Sequence, residues 1–176
     1  MNDQSQKPVQ CTLAFPFREG KILLGMGTRG VNKNRWNGFG GKMDAEDVSL
    51  TDCAVRELGE EVGLTADEKD LRYHGSVTFH WGIDVPGLGV QSAKSVQVHM
   101  FTLEQWQGDP VETESTTTPT WFPTTGLPYA DMAPDNPHWL PLLLERKYFV
   151  GDIWYSTSGG IDKVLVRELS TPPVLA

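Results

Sequence analysis

Cysteine is scarce in this chain of 176 residues: Cys11 and Cys53 stand far apart, without the spacing of metal ligands. Such usage points away from a disulfide scaffold and toward buried thiols in a reducing compartment. Basic charge is scarce too. Fifteen lysines and arginines against 23 aspartates and glutamates leave a formal charge of −8 and no basic block. That balance argues against duplex nucleic acid or a membrane surface as partner. A polyphosphate substrate would have to arrive with its charge neutralised by metal. No stretch approaches the ~20 apolar residues needed to span a bilayer, and the polar MNDQSQKPVQ start lacks the apolar core of a signal peptide. The expectation is a cytoplasmic protein that binds no membrane. His74, His80, His99 and His138 show no metal spacing and read as ordinary strand or surface residues. Repeats and linkers are also missing.

What is present is enough for one core. Thirty-nine percent hydrophobic residues, six tryptophans and seven phenylalanines support a globular chain rather than a disordered one, and the length suits a single domain over 1–176. Residues 11–17 and 21–26 read as strands around a turn at Arg18-Glu19-Gly20. The glycine-rich stretch 27–41 reads as a long loop, a kind that is usually functional in compact domains. A helix follows, capped by Ser49, Thr51 or Asp52 and running to about Val62, with Leu50, Ala54, Val55 and Leu58 on its apolar side. Alternation predicts strands at 74–81, 96–102 and 118–122, with a hairpin insertion over 82–95. A second helix fits 137–147, and 152–156 with 163–168 close a hairpin around Gly159-Gly160. This order predicts an α+β fold in which helices flank a mixed sheet.

The most informative segment is 40–64, GGKMDAEDVSLTDCAVRELGEEVGL. Glu57, Glu60 and Glu61 lie at i, i+3 and i+4, which stacks them on one helical face. Like charges so spaced repel by roughly 0.2–0.5 kcal/mol per pair. A solvated acidic face is one reading; the other is a site for a hard divalent cation such as Mg2+, which takes oxygen ligands. Upstream, Gly40-Gly41 would let the backbone approach a metal or phosphate closely.

Arg56-Glu57-Leu58-Gly59-Glu60-Glu61-Val62-Gly63-Leu64 matches every fixed position in the second half of the Nudix box, Gly-x5-Glu-x7-Arg-Glu-U-x-Glu-Glu-x-Gly-U, where U is bulky and aliphatic. The chain therefore resembles the Nudix hydrolase family. Thr12-Leu13, Leu23 to Met26, Arg35 to Lys42, Asp131-Met132, Pro134-Asp135 and Trp139-x-Pro141 to Leu144 resemble the family branch that hydrolyses oxidised purine nucleoside triphosphates. This likeness spans about residues 12 to 169. It implies the Nudix α/β/α sandwich, and a Mg2+-dependent cleavage (Mn2+ substituting) of 8-oxo-dGTP and 2-hydroxy-dATP to monophosphate and pyrophosphate. A monomer acting on a small nucleotide is implied as well.

Carried over position by position, the resemblance implies that Glu57, Glu60, Glu61 and the Gly40 carbonyl hold the metal and that Arg56 orients the acids. Glu61 or a neighbouring carboxylate would take a proton from water. A glutamate from a later loop completes the set, Glu114 ahead of Glu112. The matching substrate positions are Thr12, Asn37, Phe39, Gly40, Gly41, Lys42, Asp135 and Asn136. Asn37 carries both a donor and an acceptor, as reading a purine edge requires.

Three departures stand out. Val48 occupies the place of the box's first glutamate, with Gly41 one residue too far from Arg56; Glu46 or Asp47 would take over its bracing of the loop. Ala133 replaces a base-stacking tryptophan, a loss of ~1–3 kcal/mol by analogy with nucleic-acid stacking, which Trp81 or Trp139 would offset. Asn136 replaces a second aspartate and cannot ionise. Altered selectivity with hydrolysis retained is the expectation. The alternatives are a Nudix pyrophosphatase for another nucleotide derivative, or a binding module without catalysis.

Overall fold

The structure, a computed structural model, describes residues 7–81 and 95–175. Eight strands and two helices follow in the order β1 (Val9–Arg18), β2 (Lys21–Gly27), β3 (Trp36–Asn37), α1 (Leu50–Val62), β4 (Arg72–Trp81), β5 (Ser95–Leu103), β6 (Thr116–Pro123), α2 (Asn136–Leu144), β7 (Tyr148–Tyr155) and β8 (Ile161–Leu169). The sheet order is β3-β2-β1-β5-β4-β7-β8, with β6 on the second side of β2. Parallel pairs β1–β5 and β4–β7 alternate with antiparallel ones, so the sheet is mixed.

A core lies on each face. Leu50, Ala54, Leu58 and Val62 of α1 pack on Ala14, Leu23, Phe39 and Phe101. Trp139, Leu140 and Leu143 of α2 pack on Leu13, Phe15, Phe17, Phe149 and Ile153. Successive β1 side chains therefore serve opposite cores, as strand geometry dictates. The result is the expected α+β sandwich of helix, mixed sheet and helix. Leu58 is fully buried, and truncating such a leucine to alanine costs about 2–5 kcal/mol.

Both ends of α1 are built by local chemistry. Ser49 is the cap among the three candidates: its hydroxyl accepts from the Asp52 N–H, while Asp52 Oδ2 accepts from the Val48 N–H. At the other end Gly63 takes φ +73, a left-handed conformation that glycine adopts freely. On the apolar face Cys53 is buried and Val55 only half so, a one-residue rotation from the sequence expectation.

Several expectations need correction. The stretch 27–41 is not wholly loop: it holds a 3-10 turn at Gly30–Asn32 and β3, and Phe39 exchanges backbone bonds with Ala14. Helix α2 ends at Leu144 rather than 147, because Arg146 turns to φ +59 and Lys147 N–H bonds back to the Leu142 carbonyl. His74 and His99 are strand residues, as one of the two readings had it, and both are buried. The hairpin expected at 82–95 lies outside the described residues, apart from Ser95, which opens β5. No helix among the described residues is long and apolar enough to cross a membrane.

Candidate active site

Arg56 organises the acidic end of the site. Its Nε and Nη2 donate to Oδ1 and Oδ2 of Asp47, both at 2.8 Å, in a fork that matches a carboxylate edge. Nη1 reaches Glu57 Oε1 at 2.9 Å and Glu60 Oε2 at 3.2 Å, and Nη2 also donates to the Lys42 carbonyl at 3.2 Å. The Asp47 side chain is only 3% exposed, and the bonds from Arg56 hold its carboxyl down to about 2. Asp47, not the exposed Glu46, thus braces the loop where the box glutamate is missing.

Glu61 faces the other way. Its Oε2 accepts from the Gly40 N–H at 2.8 Å, and burial pushes its carboxyl up to about 7 against that bond. Burial also raises Glu57, which Arg56 opposes. Two acids raised by desolvation on one helical face are poised to be neutralised, and their oxygen donors suit a hard cation. The approach is close: a Cβ on Gly41 would come within 2.5 Å of the Glu57 carboxylate. The carboxylates do not converge on one point, since Glu57 and Glu60 lean on Arg56 and Glu61 on Gly40. Glu60 is exposed, as is Lys42.

The later loop is tied to the same helix. Thr113 Oγ1 donates to the Glu61 carbonyl at 2.9 Å, and the Val111 N–H to the Val62 carbonyl at 3.0 Å. Glu112 is committed to its own hairpin, where Oε1 accepts from the Thr118 N–H at 2.8 Å. Glu114 is exposed, and its carbonyl accepts from Thr28 Oγ1, while Arg29 Nη2 donates to Ser115 Oγ at 2.7 Å.

The expected substrate positions divide between the two faces. Thr12 is 2% exposed, its hydroxyl 3.4 Å from Cys53 Sγ beneath α1, and Phe39 is fully buried in the α1 core. Both lie beneath the glycine turn, where the Thr12 N–H donates to the Gly41 carbonyl and the Phe39 backbone pairs with Ala14. Burial raises the neighbouring thiols, Cys11 to about 12 and Cys53 to about 11, so both stay protonated. Asn37, half-buried, pairs with Gly25, and the bridge between Trp36 and Met132 sets it beside Ala133. Asp135 and Asn136 are buried at the start of α2. Asp135 Oδ2 accepts from Trp139 Nε1 at 2.7 Å, and Oδ1 from the Tyr155 hydroxyl. Tyr155 was absent from the sequence candidates; its partner is 20 residues away, and no motif marks it. Of the two aromatics proposed to offset Ala133, Trp139 is core, whereas half-buried Trp81 stacks on Tyr155 at 5.3 Å and 9°.

An acid-bearing helix facing a glycine turn, with a mixed sheet between two helices, defines a Nudix hydrolase. A profile of the NUDIX domain matches residues 7–143, and the chain belongs to that family. It is 36% identical over 160 residues to the oxidized purine nucleoside triphosphate hydrolase of Mus musculus, covering 91% of this chain and 95% of that protein. The Danio rerio protein of the same name is 34% identical over 158 residues, covering 90% and 92%. Among solved structures, a mutator MutT protein from Bacillus halodurans superposes with a TM-score of 0.72 at 18% identity, covering 90% of this chain and 97% of that one, a likeness of fold.

Proposed function

We propose that this enzyme hydrolyses purine nucleoside triphosphates with oxidised bases, of the 8-oxo-dGTP and 2-hydroxy-dATP type, to the monophosphate and pyrophosphate, with Mg2+ as cofactor and Mn2+ able to replace it. The observation that carries the reading is the complete Arg56, Glu57, Glu60 and Glu61 set against Gly40-Gly41. It stands in a chain whose similarity to proteins named for that activity runs almost end to end. The unit is taken to be one catalytic domain over 1–176, acting as a monomer in the cytoplasm.

Glu57, Glu60 and Glu61 would hold the cation, with the Gly40 carbonyl as a further ligand. Bound there, it supplies positive charge for the phosphate oxygens and lowers the pKa of water. Glu61, raised by burial toward neutrality, is suited to accept the proton of the attacking water. Arg56, anchored on Asp47, keeps Glu57 and Glu60 in position, and Glu114 would join them from the loop that Thr113 ties to the Glu61 carbonyl. In this reading Gly41 and Lys42 would serve the phosphates, and Asn37, Asp135 and Asn136 the base. An inert binder would have no use for a repulsive carboxylate trio, which favours catalysis over the binding-module reading.

Pyrophosphate release from 8-oxo-dGTP, 2-hydroxy-dATP, O6-methyl-dGTP and dGTP, each with Mg2+ and with EDTA, tests the proposal. Mg2+-dependent preference for an oxidised purine is expected. Turnover without preference would move the substrate elsewhere in the family, and no turnover would leave a binding module.

A further inference from the structure

A second concavity lies at the far end of the sheet from the glycine turn. β1 meets that turn through Thr12, and Arg18 stands six residues further on, ~20 Å along an extended strand. There the turn between β1 and β2 comes together with Glu104 past the end of β5, Thr124 past β6, and Leu144 and Arg146 where α2 stops. They enclose a cavity of about 430 Å³, within the range of small-molecule sites. The Thr124 N–H fastens the turn, donating to the Gly20 carbonyl at 3.1 Å.

Two guanidinium groups line the cavity, and aromatic rings hold each by its flat face. Arg18 Cζ is 4.8 Å from the ring centre of Trp121 and 5.8 Å from that of Trp106, and the two indoles are themselves stacked. Arg146 Cζ lies 3.8 Å over Phe17, where burial works against its charge. Stacking occupies the face of a guanidinium and leaves its N–H edge open. Arg146 gives one Nη to Glu104 Oε1 at 2.7 Å. The Arg18 side chain is exposed and has no hydrogen bond or ion pair among the described residues. The backbone is strained at the same place. Glu19 at φ +52 and Arg146 at φ +59 are two of the four non-glycine residues with left-handed backbone among the described residues. Strain of that kind gathers at ligand sites.

We propose that this cavity is a binding site separate from the carboxylates of α1, for a small anion with two phosphoryl heads, of which inorganic pyrophosphate is the simplest. Two open guanidinium edges can each take one head in a fork, so a two-headed anion is favoured over a single phosphate. All the N–H donors of Arg18 and most of those of Arg146 remain to be used, which suits oxygen-rich phosphoryl groups better than carboxylates. Glu104 is matched by Arg146, and Glu19 at the exposed turn is the one charge left to oppose the anion. The site needs no metal, and it stands or falls apart from the hydrolase reading.

Calorimetric titration with pyrophosphate in EDTA tests it, with orthophosphate and succinate as comparison probes. The wild type is expected to bind pyrophosphate at least tenfold tighter than either. R18Q should weaken it tenfold or more, and R18K severalfold, because lysine lacks the fork. E19Q should tighten it. The indole N–H resonances of Trp106 and Trp121 should shift with pyrophosphate in the wild type and stay in place in R18Q. Mg2+-dependent turnover of R18Q should equal that of the wild type, and a tenfold loss would overturn the separation of the two sites. The proposal also fails if no saturable binding is seen below about 1 mM, a free energy too small for a formed site. Succinate binding as tightly as pyrophosphate sinks it too, as does unchanged affinity in R18Q, or in R18K should R18Q not fold.

Discussion

Asp47 and Arg56 meet edge to edge, nine residues apart, through two bonds of 2.8 Å. The pair joins the glycine turn to α1 without a box glutamate. Replacing Asp47 by asparagine keeps the shape and removes the charge. The expected loss is about 2 kcal/mol of stability at pH 7, because the carboxyl is held near 2 in the fold. A lowered carboxyl stabilises fully above its ordinary pKa and loses that contribution as pH falls through about 2. Urea melts of wild type and D47N should therefore differ most near neutrality and converge in acid.

Glu61→Gln preserves size and removes the carboxylate proposed to accept the proton. Turnover should fall at least about a hundredfold, the lower range for loss of a general base, with the circular dichroism spectrum unchanged. A variant retaining a third of wild-type kcat would exclude Glu61 from the chemistry.

Glu112 and Glu114 should separate cleanly. Glu114→Gln is expected to lower kcat about tenfold or more, while Glu112→Gln, whose carboxylate serves the Thr118 N–H, should change kcat less than threefold. The reverse ranking in steady-state assays would transfer the role to Glu112.

Gly41→Ala places a methyl group within 2.5 Å of Glu57. The carboxylate must move, so the Mg2+ concentration for half-maximal activity should rise severalfold at nearly unchanged Tm. Unaltered Mg2+ dependence would count against Glu57 as a ligand.

His74 and His99 make stability fall in mild acid. His74 Nδ1 donates to the Lys147 carbonyl and Nε2 lies 2.8 Å from Thr102 Oγ1, while His99 Nε2 donates to Gln10 Oε1 and Nδ1 lies 3.0 Å from the Tyr73 hydroxyl. Burial lowers each to about 4. The unfolded chain binds these protons near pH 6.5 and the folded one does not. Stability is full above 6.5 and declines from there toward 4, by an amount on the order of 2 kcal/mol per ring. Denaturant midpoints at pH 7.5 and 5 measure it, and H99Q should flatten the slope.

The sequence made α1 legible because everything that defines it is local: the carboxylate spacing, the Ser49 cap and the Gly63 stop fall within fifteen consecutive residues. Strand alternation likewise located most of the sheet. Contacts that depend on chain crossing were not legible. Phe39 stands in a glycine-rich run with no apolar period, and its pairing with Ala14, which draws the ring into the core, has no local signal. The choice of Asp47 over Glu46 depends on a loop conformation that no periodicity encodes. Tyr155 meets Asp135 only because β7 lies parallel to β4 while α2 packs beneath it.

That parallel pairing also sets an order of assembly. The acid helix is complete by residue 63, but β1 must wait for β5, and β4 for β7, before their ladders close. Pairings over such distances fold slowly. On a growing chain the acid helix would emerge well before the Asp135 corner, which is complete only with Tyr155. A chain stopped short of β7 would keep its carboxylates on α1 and lose the hydroxyl that holds Asp135 in place.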